Sequence, residues 1–171
     1  MWVRFPPALF MATDTPTLWL VGPIAAGKSA HAAKLTALTL WPVLAIDDYR
    51  RSHGSDAWRI LIEDLERAQG PVIVESVMLP EAAIEVAVSR RALICSVRCP
   101  EPVRKKRIAR RGWRYEPPAT WADAGDLADA TLPGVGSVDP ARYQELVDQA
   151  EDGSAPRVIA ARREPKHSRS W

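Results

Sequence analysis

Residues 22–29 read Gly-Pro-Ile-Ala-Ala-Gly-Lys-Ser, lodged between an apolar run and an alanine-rich stretch. This octapeptide, of the form GxxxxGK[ST], restricts the possible folds more than any other feature of the chain. Its glycines let consecutive amides turn inward around an anion without Cβ clashes. The motif needs a strand before it and a helix after it, and both are readable. Thr17–Val21 (TLWLV) is short and almost wholly apolar, as in a strand buried on both faces. Residues 28–40 (KSAHAAKLTALTL) are rich in Ala and Leu, lack helix breakers and are followed by Pro42, so they read as a helix. Such a helix directs its free amides and the positive end of its dipole at a phosphate group. Gly22, Ala25, Ala26, Gly27, Lys28, Ser29 and Ala30 are therefore the expected nucleotide-binding residues. Lys28 is placed to neutralise β and γ oxygens and Ser29 to ligate Mg²⁺, which makes ATP and Mg²⁺ the expected cofactors.

Strand and helix signals alternate beyond this point. Residues 43–46, 72–74 and 92–97 read as further buried strands, and 157–160 (RVIA) as a fifth. Helices are expected at 55–68, where Trp58, Leu61, Ile62 and Leu65 recur at helical spacing, at 80–89, and at 100–111. Strands that are apolar throughout, without alternation, belong to a parallel sheet covered on both faces. The expected fold is thus α/β: a P-loop NTPase three-layer αβα sandwich with a five-stranded parallel sheet and a helical or loop lid. Residues 112–140, rich in Pro, Gly, Ala and Asp and holding no clear strand, are the expected lid. Residues 1–13 read as a disordered extension with Met11 as an alternative start, 14–163 as a single domain, and 164–171 as a basic tail.

Composition narrows the partners. Hydrophobic residues make up 47% of the 171, ample for a core, which excludes a disordered chain. With 23 Lys+Arg against 21 Asp+Glu, the net charge is only +2, so any anion site must arise from local clustering. Cys95 and Cys99 read as reduced thiols of a cytoplasmic protein, and with three scattered histidines they do not make a zinc set. No stretch is long and apolar enough to span a membrane.

The acceptor side is read from strand ends. In a parallel sheet the carboxyl ends share the edge that carries the phosphate loop. Asp47, in Ala45-Ile46-Asp47-Asp48-Tyr49-Arg50, falls there and can take the proton of an attacking hydroxyl. Arg50 can clamp an anionic group of the acceptor, with Asp48 beside it. Equally, one of the paired aspartates can cap the following turn. Glu75 ends the third strand, where it can hold a water on Mg²⁺, orient the acceptor, or serve as a helix-entry acid. Further on, Arg98, Arg104, Lys105, Lys106, Arg107, Arg110, Arg111 and Arg114 crowd into residues 98–114 against the single acid Glu101. Arg107 and Arg111 share a helix face at i,i+4 and can grip a polyphosphate together. A solvated basic face is the alternative.

On these residues the chain resembles the small P-loop kinases of the adenylate-kinase-like group, and within it the 5′-kinase domain of polynucleotide kinases. The likeness runs from residue 17 to 112 and is carried by residues 22–29, by Asp47-Asp48-Tyr49-Arg50, and by Pro100, Arg107, Arg111 and Gly112. It implies that Asp47 is the general base, that Arg50 contacts an acceptor phosphate and that Arg111 stabilises the transferred phosphoryl group. Glu75 matches uridine-kinase-like relatives instead, since polynucleotide kinases carry Asp at that strand end. The expected activity is phosphoryl transfer from Mg-ATP to a hydroxyl of a nucleoside, nucleotide, nucleic-acid 5′ end or other small molecule. A nucleotide-dependent switch without an acceptor and an ATP-binding nucleic-acid-binding protein are the competing readings.

Overall fold

The computed structural model describes residues 15–115 and 128–153. Five parallel strands form one sheet in the order β2-β3-β1-β4-β5. They are β1 (Thr17–Val21), β2 (Val43–Ala45), β3 (Val72–Ser76), β4 (Leu93–Arg98) and β5 (Ala130–Pro133). The helices are α1 (Lys28–Thr39), α2 (Ile46–His53), α3 (Ala57–Arg67), α4 (Glu81–Ser89), α5 (Glu101–Arg110) and α6 (Pro140–Glu151). The αβα sandwich expected from the alternation is the fold observed.

Why the strands are apolar at every position is visible in the two cores. Trp19 and Val21 of β1 join Val72, Val74 and Ile94 on one face, packed by Leu61 and Leu65 of α3 and by Ala83, Val86 and Ala87 of α4. Leu18 and Leu20 join Ile73, Leu93, Cys95 and Val97 on the other, under Ala32 and Leu35 of α1 and Tyr143, Leu146, Val147 and Ala150 of α6. Successive side chains point to opposite faces, so a sheet covered on both needs an apolar residue at each step. Each buried Leu or Val contributes roughly 1.5–3 kcal/mol. One buried cation sews the layers: Arg90 Nε donates to Thr17 Oγ1 (2.8 Å) and its guanidinium to the carbonyls of Leu65 (2.9 Å), Ala68 (3.1 Å) and Gly70 (3.4 Å).

Two expectations are corrected, and one element went unforeseen. Residues 130–133 are a sheet strand and not part of a lid; the strand expected at 157–160, like residues 1–13 and 164–171, lies outside the described residues. β5 escaped notice because it is a four-residue edge strand with only Ala130 and Leu132 buried, and an edge tolerates Pro133. Second, the strand expected at 43–46 stops at Ala45 and α2 starts at Ile46, so Asp47 and Asp48 lie in a helix first turn, where the dipole favours acids. The unforeseen element is α6, although Tyr143, Leu146, Val147 and Ala150 keep helical spacing and Asp139 caps it by accepting from the Ala141 amide (2.9 Å).

Candidate active site

β1 feeds residues 22–29 and α1 leads away from them. A Cβ on Gly22 would meet the Val97 carbonyl oxygen at 2.6 Å, so the loop and β4 approach too closely there for any side chain. Gly27 sits at φ 106° and Ala25 at φ 62°, the latter uncommon for alanine and a mark of a loop bent by its surroundings. Gly27 caps α1 without a side-chain bond to the first-turn amides. That helix end, with Gly27, Lys28, Ser29 and Ala30, lines a cavity of about 330 Å³. Dipole and amides together suit an anion.

Three of the expected residues meet at one end of this cavity. The Ser29 hydroxyl donates to Glu75 Oε1 at 2.7 Å, and both border the cavity with Asp47. Lys28 is buried, its ammonium donating to the carbonyls of Gly22 (2.9 Å) and Pro23 (3.1 Å). Burial pulls its pKa below the usual lysine value, opposed by the charges of Glu75 and Asp47. Asp47 itself is largely exposed and pairs with Arg50 at 3.6 Å. Asp48 and Arg50 do not line the cavity: Asp48 pairs with Arg51 and lies on an adjoining groove between α1 and α2 that Ser29, Asp47 and Glu75 also border.

The basic helix supplies the opposite charge. Arg107 and Arg111 both line the cavity. Arg107 holds the phosphate loop by donating to the Ala25 carbonyl (3.1 Å) and, from its other terminal nitrogen, to the Gly134 carbonyl (2.7 Å). Arg111 stacks over Trp113, 5.1 Å from its centroid. Arg104 belongs to the same construction: it is buried and its Nε donates to the Ile24 carbonyl at 3.1 Å. Its i,i+3 and i,i+7 spacing to Arg107 and Arg111 is the signal that would have found it.

Sequence reasoning missed the remaining wall. Residues 133–136, His31, Lys34, Trp113 and Tyr143 complete the cavity. His31 Nδ1 lies 2.7 Å from the Tyr143 hydroxyl and Nε2 2.8 Å from the Pro133 carbonyl oxygen. Burial holds its pKa below the usual histidine value, the Pro133 bond opposing this and Lys34 adding to it. Among the described residues no cluster of three or more His, Cys, Asp or Glu suits a metal, and no helix is long and apolar enough to cross a membrane.

No protein-family model and no curated protein sequence matches the chain. Solved structures do. Shikimate kinase from Acinetobacter baumannii in complex with shikimate is similar at a TM-score of 0.57 and 16% identity, over 83% of this chain and 96% of that one. The tunicamycin resistance protein of Deinococcus radiodurans is similar at 0.56 and 17%, over 79% and 95%. APS kinase from Mycobacterium tuberculosis in complex with AMPPNP and APS is similar at 0.54 and 18%, over 80% and 98%. At such identities the likeness is one of fold: a five-stranded parallel sheet between two layers of helices.

Proposed function

We propose that this protein is a kinase that transfers the γ-phosphoryl group of Mg-ATP to a hydroxyl of a small molecule. The observation that carries the reading is the convergence in one cavity of the 22–29 loop, the Asp47 carboxylate, the Ser29–Glu75 pair, Arg107 of α5 and Arg111 just past its end. A phosphoryl donor needs the amides, Lys28 and the arginines; an acceptor alcohol needs a base beside them. Phosphoryl transfer asks little covalent chemistry of a protein, so positioning and charge compensation make up most of the catalysis. In this reading Asp47 takes the acceptor proton, releasing Arg50 to meet an anionic group on the acceptor. Lys28 leaves the Gly22 and Pro23 carbonyls for the phosphate oxygens, and Arg111 leaves Trp113 for the transferred group.

Mg²⁺ fits the donor set. Ser29 and Glu75 offer hard oxygen atoms side by side, and Mg²⁺ takes few protein ligands because phosphates and waters complete its octahedron. When bound it would supply Lewis-acid neutralisation of the phosphate oxygens. Two proteins of the same fold carry names of small-molecule kinases, which supports a small acceptor.

The test is a transfer screen with radiolabelled ATP over nucleosides, nucleotides, sugars, hydroxy acids and 5′-hydroxyl oligonucleotides. Asp47→Asn should lower transfer about 100-fold or more while AMPPNP still binds. Unchanged transfer in that variant refutes Asp47 as the base, and hydrolysis indifferent to every acceptor refutes the kinase reading and favours a nucleotide switch.

A further inference from the structure

His31 is where three elements meet at the wall of the cavity. It sits on the first turn of α1, two residues beyond Ser29, and is 7% exposed. Its Nε2 faces the carbonyl at the end of β5 and its Nδ1 faces the hydroxyl of Tyr143 on α6. A carbonyl oxygen can only accept, so Nε2 carries the proton; a neutral ring then accepts the Tyr143 O–H at Nδ1. This is the one neutral tautomer that satisfies both bonds. The segment that follows Pro133 is gripped from its other side, where Arg107 donates to the Gly134 carbonyl and the Gly134 amide donates to the Arg98 carbonyl. Pro133 and Gly134, which open the 133–136 strap, are thus pinned between α1 and α5, against the loop at 22–29.

We propose that His31 is a positioning residue for the nucleoside end of the donor. As the neutral Nε2–H ring it fixes the 133–136 strap and Tyr143 as the wall beside which base and ribose lie. The triphosphate tail is held without it, by the loop amides, Lys28 and the arginines. Lys34, on the same helix, is the cation that acts on the ring, while Lys28, Arg107 and Arg111 line the same cavity. Of the carboxylates that line the cavity, Glu75 bonds Ser29, and Asp47 shares with both an adjoining groove. Among the described residues no carboxylate hydrogen-bonds the ring, and the Pro133 and Tyr143 bonds use both of its nitrogens. The inference rests on the donor-nucleotide reading above.

The test compares two ligands, AMPPNP and inorganic tripolyphosphate, by titration calorimetry with Mg²⁺ on the wild type, His31→Ala and Tyr143→Phe. His31→Ala should weaken AMPPNP about tenfold, as the loss of a buried hydrogen-bond set implies, and leave tripolyphosphate unchanged. Tyr143→Phe should act in the same direction, and it decides the matter if His31→Ala does not fold. Imidazole ¹⁵N shifts of the wild type should report the neutral Nε2–H tautomer. The proposal is overturned if both ligands weaken equally, if neither moves, or if the ring carries its proton on Nδ1. Should the wild type bind tripolyphosphate as tightly as AMPPNP, the nucleoside wall is refuted while the phosphate cradle stands. Binding of neither ligand refutes the donor reading itself, and this inference with it.

Discussion

Gly134→Ala tests whether the strap presses on the phosphate loop. A Cβ there would lie 2.2 Å from the Ala26 carbonyl oxygen, 2.5 Å from Cys99 Cβ and 3.0 Å from the Arg98 carbonyl oxygen. Two of the three are backbone atoms, which cannot rotate aside. The residue's φ lies outside the left-handed region, so the cost is steric and not conformational. Restoring an ordinary 3.4 Å contact to Ala26 takes a shift of about 1.2 Å. That shift strains the Gly134 amide bond to Arg98 and the Arg107 bond to Gly134. Overpacking costs roughly 1–3 kcal/mol, and a hydrogen bond to a charged group adds roughly 1.5–3 if it is lost. Against this stands a gain of about 0.4–1 kcal/mol from the stiffer unfolded chain. A net loss of about 3 kcal/mol corresponds, for a chain of this length, to a Tm lower by about 6–12 °C. Gly70→Ala is the control: it has open space and an ordinary φ, so its Tm should hold or rise slightly. Thermal melts followed by circular dichroism read both. If Gly134→Ala melts with the wild type, the strap does not pack on the loop and the cavity's wall is misplaced.

Three further outcomes are expected. Arg90→Met should cost about 2–4 kcal/mol in urea unfolding, because three carbonyls and the Thr17 hydroxyl lose their shared donor in the core; a change under about 0.5 kcal/mol would rule out that role. In the native protein Cys95 should resist thiol reagents, since burial pushes its pKa up to about 12, while the partly exposed Cys99 reacts; equal reaction rates would contradict the burial. Stability should fall as pH drops below about 6.5, since the folded state holds His31 below its ordinary value of 6.5 and the unfolded chain takes up the proton first. Above that pH the contribution is fully present, and His31→Gln should flatten the slope between pH 5 and 7; an unaltered slope excludes His31 as its source.

The strand–loop–helix unit around residues 22–29 was legible because its geometry is local. Eight consecutive residues set their own backbone path, and the apolar run before and the alanine-rich helix after them are equally short-range signals. Sheet class followed the same way, since a strand facing two cores must be apolar at each step. Asp47 was readable as a carboxylate at the phosphate edge, but not as a helix residue, because Ile46 turns the chain into α2 only once it has a core to enter. β5 was not legible: four residues with a proline make a strand only when β4 offers an edge to pair with.

What the chain alone determined, then, is the loop at 22–29 between its strand and helix, the layered fold and the types of charge near them. Which of the clustered arginines brace the loop and which stay free for a ligand depended on α5 docking over residues 24 and 25. The far wall of the cavity depended on His31 and Tyr143 meeting across 112 positions. Hydrogen bonds between distant side chains leave no period or spacing in a sequence, because their register is set by the packing of whole elements and not by their neighbours along the chain.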